Sequence, residues 1–128
     1  MLEKKIEEHL CKRVKEAGGV AFKFTSPQRR SVPDRLVLLD AKHAGKALRQ
    51  FIIDNRFFPY EDFSDAFFEE EAKIIVAAMM RFVELKATGV RPSTAQEREH
   101  TRLRALGFRV DVVDNKEVID QEYKKCGP

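Results

Sequence analysis

The chain has 128 residues, 43% of them hydrophobic and 35% charged, with a formal net charge of +3. That balance supports one packed core and excludes a disordered chain, while its mild basicity permits a nucleic-acid partner without requiring one. No apolar run approaches the roughly 20 residues that cross a bilayer, and Met1-Leu2-Glu3-Lys4-Lys5 is charged where a secretion signal is apolar, so a cytoplasmic protein with no membrane partner is expected.

Residues 2–17 read as an amphipathic helix. Ile6, Leu10, Val14 and Ala17 fall within an arc of roughly 80° at about 100° per residue. Gly18-Gly19 ends it. Val20 to Phe24 reads as a first strand, followed by the polar, basic loop Thr25-Ser26-Pro27-Gln28-Arg29-Arg30-Ser31. Val32-Pro33-Asp34 then opens a second strand, Arg35 to Leu39. Cys11, near the start, and Cys126, near the end, have no metal-ligand spacing with each other or with the three histidines, which argues against zinc.

Residues 41–80 form a long connection rich in aromatics: Phe51, Phe57, Phe58, Tyr60, Phe63, Phe67 and Phe68. A link of this length carries structure of its own, and helices are expected over Ala47 to Asn55 and Glu69 to Met80. The rings either pack on the protein's own sheet or face a partner. Arg81 to Lys86 is a third strand. Gly89 and Pro92 precede a helix from Thr94 to Ala105, closed by Gly107. Phe108 to Val113 is a fourth strand, and Lys116 to Lys125 a terminal helix. With the 41–80 insertion set apart, short links between the first three strands imply antiparallel pairing, and the helix before the fourth implies a parallel crossover. The expected fold is a mixed α/β sheet in one domain spanning 1–128.

The chemistry concentrates on the second and third strands. In Phe82-Val83-Glu84-Leu85-Lys86, the period of two puts Glu84 and Lys86 on one face and Val83 and Leu85 on the other. If the two strands are neighbours, Asp34 and Glu84 converge into an oxygen-rich site suited to Mg²⁺ or Mn²⁺. A metal there activates water and neutralises phosphate charge, and an adjacent lysine holds the water or the phosphate. Those parts describe phosphodiester hydrolysis.

Three further sets of residues extend the candidate site. Glu7 flanks the buried stripe of the first helix and is chosen as a third acidic group, against the reading of a solvated glutamate beside lysines. Gln96 closes a capping box with Ser93, or orients a phosphate or a metal-bound water at the helix start. His100 lies one turn on and is not counted with the site, since such a histidine is more often a surface or partly buried residue. Lys23, Arg29, Arg30 and Arg35 surround the Pro-Asp strand start as nucleic-acid-binding residues that touch phosphates without reading bases.

As an ordered set the motifs are familiar. Glu-Glu-His-Leu in the first helix, Gly18-Gly19, Lys23-Phe24-Thr25-Ser26-Pro27, Arg30-Ser31-Val32-Pro33-Asp34-Arg35, Phe82 to Lys86, Gln96 and Leu103 to Phe108 resemble the VRR-NUC (virus-type replication-repair nuclease) family of the PD-(D/E)xK nuclease superfamily. The resemblance implies a restriction-endonuclease-like α-β-β-β-α-β core. It implies Mg²⁺ or Mn²⁺ on Asp34, Glu84 and the backbone carbonyl of Leu85. Lys86 then matches the family's catalytic lysine, Gln96 its helix glutamine and Glu7 its N-terminal acid. It also implies a metal-dependent DNA endonuclease of phage or bacterial type that acts as a homodimer on branched DNA such as four-way junctions. The alternatives are a monomeric nickase or flap nuclease, and a non-catalytic DNA-binding or assembly module. The helical, aromatic-rich insertion at 41–80 departs from the short hairpin usual in the family.

Overall fold

A computed structural model describes residues 1–26, 31–54 and 65–124. Their elements run α1 (Glu3–Glu16), β1 (Val20–Lys23), β2 (Arg35–Leu38), α2 (Ala41–Asp54), α3 (Asp65–Met79), β3 (Met80–Leu85), α4 (Thr94–Ala105), β4 (Val110–Val113) and α5 (Lys116–Glu122). The four strands form one sheet in the order β1-β2-β3-β4. β1 pairs antiparallel with β2, β2 antiparallel with β3, and β3 parallel with β4, the mixed pattern expected from the connection lengths.

The helical stripe of α1 goes where its spacing points. Ile6, Leu10 and Val14 are fully buried and Ala17 nearly so, each large aliphatic contributing roughly 1.5–3 kcal/mol of burial. They pack with Val37, Val83, Leu85 and Val113 from the sheet, and with Ile119 and Tyr123 at the C-terminal end. Val83 and Leu85 therefore face this core, as the strand period requires. Phe24, Phe82 and Phe108 form an aromatic row elsewhere on the sheet, with centroids 5.4 Å and 6.0 Å apart. Phe82 and Glu84 lie two apart on β3 and so share the face away from α1.

Two glycine-closed helix ends fix the approach to the sheet. After α1, Gly18 N–H donates to Lys15 O at 3.0 Å and Gly19 N–H to Val14 O at 2.9 Å, a Schellman pair with Gly18 at φ 89°. Gly19 also sits where a Cβ would come within 2.4 Å of the Leu38 carbonyl oxygen. After α4, Gly107 and Phe108 make the same two bonds, to Arg104 O and Leu103 O. This use of the Phe108 N–H is why β4 starts at Val110 rather than at Phe108.

The segment between β2 and β3 contains more helix than its sequence pattern suggests. α2 starts six residues earlier than expected, at Ala41, because the Asp40 side chain accepts the Lys42 N–H at 3.0 Å and caps the first turn. α3 starts four residues early, at Asp65, and Phe67 packs on Phe51 with centroids 5.5 Å apart. It runs straight into β3, where Met80 already pairs with Leu38. Phe57, Phe58, Tyr60 and Phe63 lie outside the described residues. Among the described residues, no helix is long and apolar enough to cross a membrane.

Candidate active site

The site forms where the β2–β3 ladder stops. Its register continues in principle from Arg35↔Val83 to Asp34↔Glu84 and Pro33↔Leu85. Odd residues of β3 turn their backbone groups toward β2, whereas Phe82 N–H and Lys86 N–H donate to Arg109 O and Val113 O beside β4. The Leu85 N–H would thus meet Pro33. Instead Asp34 Oδ2 accepts it at 2.7 Å. Proline has no N–H to return to the Leu85 carbonyl, which leaves an extended strand on the same side as its own N–H. Pro33 is buried, and Asp34 O accepts the Phe24 N–H at 2.9 Å, so the backbone around Asp34 is fixed from both sides.

Glu84 lies across from Asp34 and is 1% exposed. Burial, then a hydrogen bond with Asp34 and its like charge, push the Glu84 carboxyl up to about 8; Lys86 opposes the shift and Glu3 adds to it. A buried carboxyl that burial and a neighbouring carboxylate keep from ionising is a place where a bound cation would favour the charged form. Among the described residues, no group of three or more His, Cys, Asp and Glu side chains could hold a metal ion. The side-chain donors here are therefore two carboxylates, and any further oxygens would have to come from backbone, water or substrate. That hard, all-oxygen set fits Mg²⁺ or Mn²⁺, which keep several waters.

Lys86 follows directly after β3, half-buried. The turn beyond it is pinned: Thr88 Oγ1 donates to Asp114 O at 2.8 Å and Gly89 N–H to the Asp114 carboxylate at 3.0 Å. Its positive charge opposes the upward shift at Glu84 and adds to the downward shift at His100.

The other expected residues are distributed unevenly. Gln96 occupies its capping box: Ser93 Oγ accepts the Gln96 N–H at 3.1 Å, and Gln96 Oε1 accepts the Ser93 N–H at 2.9 Å. The structure brings Glu7 to Arg35, 3.2 Å from its guanidinium, and Arg35 also donates to Ala21 O at 3.1 Å. Arg35 is paired with Val83 and so shares the α1 face, opposite Glu84. Lys23 is exposed at the end of β1. Arg29 and Arg30 lie outside the described residues.

His100 is the member that sequence reasoning set aside. It is 2% exposed on α4, with Nε2 3.2 Å from Glu84 Oε1. Burial, reinforced by Arg104, holds its pKa below the ordinary imidazole value. The available signal was its position one helical turn after Gln96, on a helix that must cover the face carrying Glu84. Glu3, in the first turn of α1, adds the smallest of the influences on Glu84.

No family model matches the chain. Over 116 residues it is 38% identical to a protein named "Putative nuclease p44" from Acyrthosiphon pisum secondary endosymbiont phage 1, covering 91% of this chain and 86% of that one. A solved structure described as a VRR_NUC domain superposes on it with a TM-score of 0.60. The chain belongs to the VRR-NUC family. The structural match spans 93% of this chain and 90% of that one at 22% identity, so it speaks for a shared fold. In this VRR-NUC protein the fold is the mixed four-stranded sheet described above, with Asp34 and Glu84 on adjoining strands.

Proposed function

We propose that this VRR-NUC protein is a DNA endonuclease that hydrolyses phosphodiester bonds with Mg²⁺ or Mn²⁺ held by Asp34, Glu84 and the Leu85 carbonyl. The observation that carries this reading is the Asp34–Leu85 hydrogen bond, which brings one carboxylate to the strand position next to the other. A divalent cation bound there supplies charge neutralisation at the phosphate and a more acidic water. The chain's own residues do the rest. Glu84 gives up its proton as the site fills, and Asp34 keeps its hold on the Leu85 N–H while presenting its second oxygen. Lys86 offers an ammonium that orients the attacking water or the phosphate oxygen. Gln96 has its carbonyl oxygen engaged in the cap, so its amide N–H groups are the part available to substrate. Exposed Lys23, with Arg29 and Arg30, supplies phosphate contacts.

The family resemblance further suggests branched DNA as the substrate and a homodimer as the acting unit, so that two sites cut two strands. The test is incubation of purified protein with labelled four-way junction, flap and linear duplex DNA, with Mg²⁺, Mn²⁺ or EDTA. Cleavage is expected only with metal, strongest on the junction, and lost in Asp34→Ala and Lys86→Ala. Cutting that proceeds in EDTA, or survives both substitutions, contradicts the proposal. Mass measurement in solution tests the dimer, for which a monomer at micromolar concentration is the adverse result.

A further inference from the structure

We propose that His100 is a positioning residue: its Nε2–H holds Glu84 Oε1 and aims the other carboxylate oxygen of Glu84 at the cation site beside Asp34. This rests on the reading of Asp34 and Glu84 as cation ligands and adds a residue to it. The contact is 3.2 Å, and the two side chains are 2% and 1% exposed, so water does not compete for either group. Once ionised, as a cation ligand must be, Glu84 can only accept in this contact, which requires the imidazole to carry its proton on Nε2. A carboxylate with two equivalent oxygens rotates about its last torsion, a broad one for glutamate. Fixing one oxygen removes that freedom before the cation arrives.

The geometry also links the site to α4. His100 is one turn beyond Gln96, whose capping box with Ser93 sets the start of the helix. The helix that crosses from β3 to β4 therefore carries, on successive turns, its own N-terminal lock and the clamp on Glu84. Hydrogen-bond partners of metal-binding groups typically contribute 10–100-fold in metal affinity.

The test is Mn²⁺ binding to the full chain without DNA, read from the electron paramagnetic resonance signal of free Mn²⁺, for wild type, His100→Gln and His100→Leu. Glutamine places an N–H close to where Nε2 lies, and leucine fills the space without a donor. Affinity is expected to fall about 10–100-fold in His100→Leu and to recover in His100→Gln to within about threefold of wild type. Equal affinity in His100→Leu and wild type overturns the proposal while leaving the cation site standing. Failure of the wild type to bind Mn²⁺ overturns the cation site and the proposal together. Nitrogen coupling in the pulsed spectrum of the bound Mn²⁺ would make His100 a ligand and also overturn it. Nitrogen-15 spectra of histidine-labelled wild type saturated with Mg²⁺, where Glu84 is ionised, supply a check that needs no variant, with an Nε2-protonated ring at His100 expected and an Nδ1-protonated ring contradictory.

Discussion

Asp34 takes the place of a backbone partner for Leu85: its Oδ2 accepts the Leu85 N–H at 2.7 Å, in the ladder position where Pro33 has no N–H to donate to the Leu85 carbonyl. One residue type ends the strand pairing and the next uses the opening. The proline before Asp34 is therefore part of the site's construction, because a residue with an N–H could close the ladder over the Leu85 carbonyl.

Asp34→Asn separates structure from chemistry. An asparagine oxygen can still accept from Leu85, and it no longer repels Glu84. The variant is expected to melt in EDTA at the wild-type temperature or above it, while cleavage drops at least about 100-fold. Asp34→Ala leaves the Leu85 N–H without its acceptor and is expected to cost on the order of 1–3 kcal/mol as well. Thermal melting alongside cleavage rates checks both. An active Asp34→Asn would remove the carboxylate from the proposed chemistry.

Much of this was legible in the sequence, for reasons that differ by residue. The stripe of α1 and the alternation in β3 are periodic, so the buried run Ile6, Leu10, Val14 and the shared face of Val83 and Leu85 were legible directly, and all five pack in the core. Ser93 and Gln96 announced their capping box by spacing alone. Glu7 illustrates the limit. Its angle on α1 was read correctly, but which charged group it would meet depended on the face of Arg35, set by the β2 register. His100 and Glu84 are sixteen residues apart and touch only because α4 folds back over the sheet. The early start of α2 depended on a cap at Asp40 outside the apolar pattern.

Glu84 makes the metal-free protein sensitive to pH. Its folded pKa is raised from 4.5 to about 8, so between those values the folded state binds more protons than the unfolded state. Stability contributed by the protonated group is full below about pH 4.5 and is lost as pH rises through about 8. Melting temperature in EDTA is expected to fall across that window. Glu84→Gln, which stays neutral, should lose most of the slope and melt higher than wild type at pH 8. A slope unchanged in Glu84→Gln would assign it to other groups.

The Glu7–Arg35 pair is partly exposed, with side chains at 34% and 17%. Its contribution to stability is therefore about 1 kcal/mol or less. Because Arg35 shares the α1 face, Glu7→Gln is expected to change Mn²⁺ affinity by less than about fivefold. Titration and urea unfolding measure the two effects. A loss of Mn²⁺ binding as large as that of Asp34→Ala would bring Glu7 into the ligand set.

Gly19 marks where α1 joins the sheet closest to its backbone. A methyl group there meets the Leu38 carbonyl oxygen at 2.4 Å and a Leu39 side-chain carbon at 2.8 Å. Gly19→Ala is expected to destabilise the fold by about 1–3 kcal/mol, measurable by urea unfolding. Unchanged stability would mean that the α1–β1 turn shifts without cost.

The most direct measurement is a crystal structure of the protein soaked in Mn²⁺, with anomalous scattering recorded to locate the ion. The account predicts a peak within coordination distance of an Asp34 oxygen, a Glu84 oxygen and the Leu85 carbonyl, with Lys86 alongside. A peak away from these three groups, or no peak at saturating Mn²⁺, would contradict it.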